Sequence, residues 1–409
     1  MTSLLEIPDN FSQNPYAFYE SLSYLPEPYF FSEYESMKEV HGVWLISSYD
    51  LCVQISKESQ FISKSNNIVP DKSIIFDEIM LSSDGEKHKR LRGLISKHFS
   101  MRSIKDFTQI IEEKTNSYLE KFIPGSTVNF VDEIADVLPL EIIAEVIGFR
   151  KQHLLEIRKL SLMICDMFDS FVPGQYTKED YQKALESFES IVTDEIEFIR
   201  ANLNRAEDNH NLSICAGLVI DAQKNKLSEV ELRAMFIFLM FAGHETTTNM
   251  LSSAMYLLLS HPTQLQELVL EPELINSCVE EVLRFESPEQ RSTFRMTNKD
   301  LEFNGITIPA NSQITLLLGS ANRDKKMFNE PHRFDIHRKP NRHIAFGHGV
   351  HNCLGQHLSR LELNIFLKNL LPIFLQLQIL GVPRWRKTSF FRGLETLTIE
   401  VKPGLSLDK

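Results

Sequence analysis

The stretch Phe346–Gly355, FGHGVHNCLG, constrains this chain more than any other. Gly347, Gly349 and Gly355 surround a single cysteine, Cys353, and an apolar-periodic segment, LGQHLSRLELNIFLKNLL, follows directly. Glycine has no Cβ, so such a loop can turn sharply and lie against a flat partner. The periodicity predicts a helix that starts just after Cys353. Unpaired N–H groups and the dipole at a helix N-terminus favour a thiolate over a thiol. The fold must therefore hold a sulfur at the mouth of a helix, beside a loop able to accept something planar.

A cysteine ligand to haem iron is the reading that uses all of these features. Two plainer readings stand beside it. A lone cysteine is most often a small buried hydrophobe. His348, His351 and Cys353 also crowd together as zinc ligands do, but the loop has no CxxC or HxxxH knuckle to complete such a site.

The rest of the chain narrows the class. Its 409 residues would suit two or three average domains. No Pro/Gly/Ser-rich linker, repeat or low-complexity segment divides them, so a single domain over 1–409 is expected. The five cysteines are odd in number and scattered, which argues against a disulfide framework and for a reducing compartment. The N-terminus, MTSLLEIPDNFSQNPYAFYESL, has neither the basic start nor the apolar run of a signal peptide, and no stretch is apolar enough for a membrane span. A cytoplasmic monomer with no membrane contact is the expectation. A net charge of −12 argues against nucleic acid as a partner. Within this acidic chain, residues 87–98 (KHKRLRGLISKH) form a basic island, ordinarily a solvated helix face.

Most of the chain has helical periodicity. Ser228 and Glu231 form a capping box, and the helical pattern runs to Ser260, with Pro262 as a stop. Such a helix, 228–260, is roughly 50 Å long at 1.5 Å per residue. Its middle switches from apolar to polar at AGHETT, 242–247. Gly243 there costs about 1 kcal/mol against alanine, a cost that a flat group packed on it would explain. Thr246 can bond back to the carbonyl of Ala242. Further on, Glu281 and Arg284 share one helical face, as do His88 and Arg92. Strands are expected at 43–47, at LEFNGITI with an Asn304–Gly305 hairpin turn, at NSQITLLLGSANRD, and as a final pair in RGLETLTIEV. Residues 61–84, with Asn-Asn and Pro70, are expected to be mostly loop.

The cysteine loop resembles that of the cytochrome P-450 family, the haem-thiolate monooxygenases. AGHETT at 242–247, EVLR at 281–284 and HKRLR at 88–92 match three more of that family's motifs, in the family's order. The resemblance implies a mainly α fold with small β-sheets, with haem b between the helix 228–260 and the cysteine-loop helix. It implies Cys353 as the iron ligand; His88, Arg92 and Arg295 against the haem propionates; and Ala242, Gly243, Phe346, Gly347, His351 and Gly355 around the haem. Glu245 and Thr246 match the acid–alcohol pair that delivers protons to O2. Glu281, Arg284 and Arg333 match a buried structural triad. Residues 163–176 fall at the substrate lid and Ser389–Arg392, with Phe390, at the pocket.

Phe238, Met240 and Phe241 are expected in the apolar pocket wall. If the stretch after Pro288 is extended, Arg291 and Thr293 share a face with Arg295; Arg291 would then meet a carboxylate or carrier-linked acyl group on the substrate, unless it pairs with Glu286 or Glu289. The implied reaction is hydroxylation or epoxidation of a small-to-medium apolar molecule, such as a polyketide, peptide or fatty-acyl intermediate. Its electrons would come from NAD(P)H through a reductase and a separate ferredoxin or flavodoxin, docked on Lys87, Lys89, Arg90 and Lys97. A peroxide-driven haem hydroxylase and a haem sensor without turnover are the competing readings.

Overall fold

The computed structural model describes residues 7–8, 10–25, 27–31, 42–58, 62–64, 74–169, 172, 174–206 and 213–403. The expected loop at 61–84 lies partly outside these, Pro70 included; inside them its later part contains a short helix, Ile74–Asp77, and a 3-10 turn, Met80–Ser82.

The central helix runs Glu229–Ser260 and is capped by Ser228 and Glu231 in a reciprocal capping box. It is buried around nearly its whole circumference, so the rest of the chain packs on every side of it. Gly243 is where another helix, Leu138–Ile147, comes closest: a Cβ there would lie 2.5 Å from Ile143 Cγ1. Helix–helix approach thus requires the glycine, a second reason beside the flat group expected from the sequence. Thr246 Oγ1 donates to the Ala242 carbonyl at 2.9 Å, as expected.

Two elements frame the cysteine loop. The helix Gln356–Phe374 begins just after it, and Gly349, at φ +74°, has its open side 2.4 Å from the Ser56 carbonyl oxygen. Any side chain there would push the loop off the helix Tyr49–Lys57. A five-stranded sheet, in the order Tyr29–Phe31, Val43–Ile46, Gln313–Leu316, Arg295–Thr297, Ile62–Lys64, closes another side and carries Arg295 inward. Asn304 and Gly305, both at positive φ, make the hairpin turn between Leu301–Phe303 and Ile306–Ile308. The final strands differ from expectation. Leu394–Thr396 pairs with Arg384–Trp385, and Thr398–Val401 sits between Thr127–Asn129 and Leu377–Ile379. Alternation alone does not reveal a partner so distant in sequence.

The helix Ile275–Phe285 supplies a buried ionic cluster. Glu281 accepts from Arg284 Nε and Nη2 at 2.7 and 2.8 Å, and both residues are fully buried. Arg284 also donates to the carbonyls of Asn322, Pro331 and Arg333. The third member is Arg338, whose Nε lies 3.1 Å from Glu281 Oε2. Arg333 contributes only its carbonyl: its side chain is 63% exposed and pairs with Glu330. The assignment of Arg333 is therefore corrected to Arg338. No helix among the described residues is long and apolar enough to cross a membrane.

The cluster predicts unequal costs. Arg284→Ala removes the bidentate partner of a buried carboxylate and the donor to three carbonyls, and should cost about 3–5 kcal/mol. Arg338→Ala should cost about 1–3 kcal/mol, because Glu281 keeps the bidentate Arg284. Arg333→Ala should stay within about 0.5 kcal/mol of the parent. Denaturant midpoints of the three variants check the order.

Candidate active site

A cavity opens between the central helix and the cysteine loop. Along the central helix its wall is Phe238, Leu239, Phe241, Ala242, Gly243, Glu245, Thr246, Thr247 and Met250. Phe238, Ala242, Gly243 and Thr246 are the partly exposed residues of the enclosed middle turns because they face this space. Met240 does not line it; one helical step off the lining face, it is fully buried in the core. The expectation for Met240 is overturned by helix phase.

The opposite side is the loop. Phe346, Gly347, His351, Cys353 and Gly355 all reach the cavity. Cys353 N–H donates to the Phe346 carbonyl at 2.8 Å, which closes the turn under the sulfur. Burial pushes the thiol up to about 11, with Glu289 adding to the rise; the Gly355 N–H, Arg92 and Arg360 pull the other way. Burial thus opposes the helix terminus, and a metal cation bonded to the sulfur would favour the thiolate. Among the described residues the one group of three potential metal ligands is Asp136, His244 and Glu245. Cys353, His348 and His351 do not converge in this way, and the zinc reading falls.

Cationic and N–H donors gather at one rim. His88 is buried on the helix Gly85–Ile95, its ring 4.3 Å from that of His351. His351 Nε2 is 2.9 Å from Asp84 Oδ1. Arg92 donates to the Asn352 carbonyl at 2.8 Å. Arg295 lines the cavity at 5% exposure, and its Nε has no hydrogen-bond partner. Burial lowers the guanidinium's affinity for its proton, against the charge of Asp84. A buried guanidinium with an orphaned donor calls for an anionic partner. At Gly355, no heavy atom comes within 4 Å of where a Cβ would stand. A sulfur donor, an open flat side and cationic donors at one edge fit a haem with its propionates.

The remaining wall is aromatic. Phe168 stacks on Phe241 with centroids 5.4 Å apart, and Phe390 and Phe391 pack at 4.7 Å beside them. Phe168 lies in the apolar stretch 163–176 and Phe390 in the turn Ser389–Arg392, as the family pattern implied. Thr293 also lines the cavity. Arg291 does not. It is buried behind the wall, where Nη2 donates to the Phe168 carbonyl at 2.9 Å and the guanidinium sits 4.8 Å from the Phe390 ring. The stretch from Pro288 to Phe294 is irregular rather than extended, so alternation does not carry Arg291 to the Arg295 face. A substrate anion met by Arg291 is thereby overturned. Glu286, one of its expected partners, is instead bound by Tyr16 and Arg392.

Two site features escaped the sequence reading. Arg386 Nη1 reaches Glu245 Oε2 at 2.8 Å, and nothing in the sequence links residues so far apart. Glu362 is a buried carboxyl on the cavity wall, pushed well above the usual range by burial. It falls on the apolar stripe Leu358–Glu362–Phe366 of its helix, a signal that could have found it. Most of the basic island is engaged. Lys87 pairs with Glu78, Lys89 with Glu86, and Arg90 with Glu231 in the central helix's cap. Lys97 is exposed.

The model of the family described as Cytochrome P450 matches residues 12–376. A cytochrome P450 of Bacillus subtilis is 35% identical over 87% of this chain and 87% of its own. The biotin biosynthesis cytochrome P450 of the same bacterium is 31% identical over 95% and 96%. The crystal structure of P450BioI in complex with hexadec-9Z-enoic acid ligated acyl carrier protein superposes with a TM-score of 0.83, at 30% identity, covering 96% of this chain and all of that one. With its cysteine loop, its enclosed central helix and the cavity between them, the chain belongs to the cytochrome P450 family, and it is a haem monooxygenase of that family.

Proposed function

We propose that the protein hydroxylates or epoxidises a small-to-medium, largely apolar biosynthetic intermediate. The observation that carries this is the aromatic wall of Phe168, Phe241, Phe390 and Phe391 facing Cys353 and Thr246 across one cavity. Haem bound through a cysteine thiolate supplies the iron at which O2 is cleaved, a property of the P450 class itself. Cys353 holds it, and His88, Arg92 and Arg295 take its propionates. The whole chain works as one domain and one monomer.

The protein's own part is to exclude water, orient the substrate and move protons. The four phenylalanines desolvate the substrate and offer no charge, so an apolar carbon skeleton is favoured over an anion. Thr246 presents its hydroxyl at the cavity while donating to Ala242. Glu245, its neighbour on the central helix, is fully buried and held by Arg386. The acid passes protons and the hydroxyl positions them. Electrons arrive from NAD(P)H by way of a reductase and a ferredoxin or flavodoxin. This partner docks on the basic stretch at Lys87, Lys89 and Lys97; Arg90 is committed to the central helix.

A screen of neutral apolar compounds and carrier-linked acyl groups, with small polar anions as the charged set, for a Soret shift on ferric protein identifies the substrate class. Failure of every apolar compound, with a shift from charged ones, overturns it. The ferrous–CO complex should show the red-shifted Soret band after which the family is named, and Cys353→His should abolish it. With the substrate so found, Thr246→Ala should keep binding but lower product formed per NAD(P)H by at least about tenfold, the remainder leaving as peroxide. An unchanged yield removes Thr246 from proton delivery. Lys97→Glu should slow reduction by the partner at low salt and converge on the parent at high salt.

A further inference from the structure

Directly before Glu245, the central helix carries a buried histidine, His244. His244 is fully buried and stays off the cavity. Its Nε2 lies 2.8 Å from the backbone oxygen of Asp136 and 3.2 Å from Asp136 Oδ1. Both are acceptors, so Nε2 carries a hydrogen. The other nitrogen, Nδ1, has no hydrogen-bond partner, and neither has Glu245 Oε1. These two atoms lie 3.7 Å apart, beyond hydrogen-bond distance. With a neutral Nε2–H imidazole and an ionised Glu245, both would be buried acceptors without a hydrogen-bond donor.

One proton removes the conflict. We propose that His244 and Glu245 hold one buried proton as a pair, on Nδ1 or on Oε1, a store held beside Thr246 for delivery into the cavity. Written either way, the inventory is the same: an imidazolium beside a carboxylate, or a carboxylic acid beside a neutral imidazole. Releasing the proton leaves a neutral Nε2–H imidazole and a carboxylate, and one proton from solvent restores the pair. His244 is then a positioning residue that acts through Glu245.

The surrounding charges support this count. Asp136 Oδ2 is 2.5 Å from Arg158 Nε, Arg158 is 3.6 Å from Asp132, and Glu245 Oε2 is 2.8 Å from Arg386. Three carboxylates therefore stand against two guanidiniums, which leaves room for one further positive charge. The Cys165 thiol also faces Glu245 and is kept protonated by burial. Burial by itself would lower the His244 proton affinity, but the Asp136 hydrogen bond and the Glu245 charge outweigh it and raise it. Asp136, His244 and Glu245 bring potential metal ligands within 4.8 Å of one another. Arg158 and Arg386 already pair with Asp136 and Glu245, so the one charge left over is met by a single proton rather than by a divalent cation. The same chain leads outward: Arg158 is 23% exposed and Asp132 60%.

This rests on the assignment of Glu245 as the acid, and the test separates the two. Histidine-labelled holoenzyme in the diamagnetic ferrous–CO form is followed by nitrogen NMR across pH. The expected result is a His244 Nδ1 that is protonated or shared at neutral pH, and that becomes a bare nitrogen in Glu245→Gln. Infrared spectra should show a Glu245 carboxyl band that shifts in His244→Gln. A bare Nδ1 beside an ionised Glu245 in the parent protein overturns the proposal, as does a His244 titration unchanged by Glu245→Gln. Both of these readings stand even if His244→Gln does not fold. Should Glu245→Gln turn over like the parent while the His244 signal collapses, the acid assignment fails and the shared proton stands.

Discussion

Glu245 lies without exposure at the middle of a helix enclosed on nearly every side. An unpaired carboxylate there would carry a desolvation penalty of several kcal/mol. The fold answers by bringing cationic and hydrogen-bonding groups to it from distant segments. Arg386 arrives from the strand Arg384–Trp385 and its following turn, and Asp136 and Arg158 complete a network around His244 on the neighbouring side. The aromatic turn Phe390–Phe391 follows the same segment across, so the contact that neutralises the carboxylate also delivers part of the cavity wall. Charge compensation and pocket construction are two consequences of one chain crossing.

The cysteine side has a separate anchor. Glu281 and Arg284 are too deeply buried to gain much from Coulomb attraction alone. What they do is organise backbone: Arg284 gathers three carbonyls, and Glu281 accepts from the Asp335 N–H and the Asn341 amide besides Arg338. The segment so gathered leads directly into the loop that carries Cys353. On the same helix Glu280 binds Arg360 and His343, tying the helix after the cysteine to the segment before it. The sulfur is thus positioned by a set of hydrogen bonds that does not include it.

Much of this was legible in the sequence. Periodic and capping signals placed the central helix to within a residue, because a capping box and a terminal proline mark its ends chemically. The Asn304–Gly305 turn was equally clear, since only a few residue types tolerate positive φ. The motif residues at the cavity, from His88 and Arg92 to Cys353, converge as the family pattern implied. The misses have common causes. Met240 is expected at the wall as a neighbour of Phe238 and Phe241 and Arg291 by strand alternation with Arg295, whereas lining a cavity depends on helix phase in one case and on an irregular backbone in the other. Arg333 matches the family's motif arginine in sequence, but the loop's path turns Arg338, five residues on, inward instead.

By itself, then, the sequence determined the helical class, the ends of the long helix and the presence of Cys353 in its glycine-rich loop and of Glu245 and Thr246 in mid-helix. These rest on local chemistry: side-chain periodicity, capping groups and glycine's access to positive φ. Only the tertiary structure decided what surrounds them. It brought Arg386 to Glu245, set His244 against Asp136, put Phe168 on Phe241 and made Gly243 a helix contact with Ile143. Each of these depends on which distant segments share the space around a buried group, and burial, which sets the strength of every charge and hydrogen bond, is a property of the packed molecule.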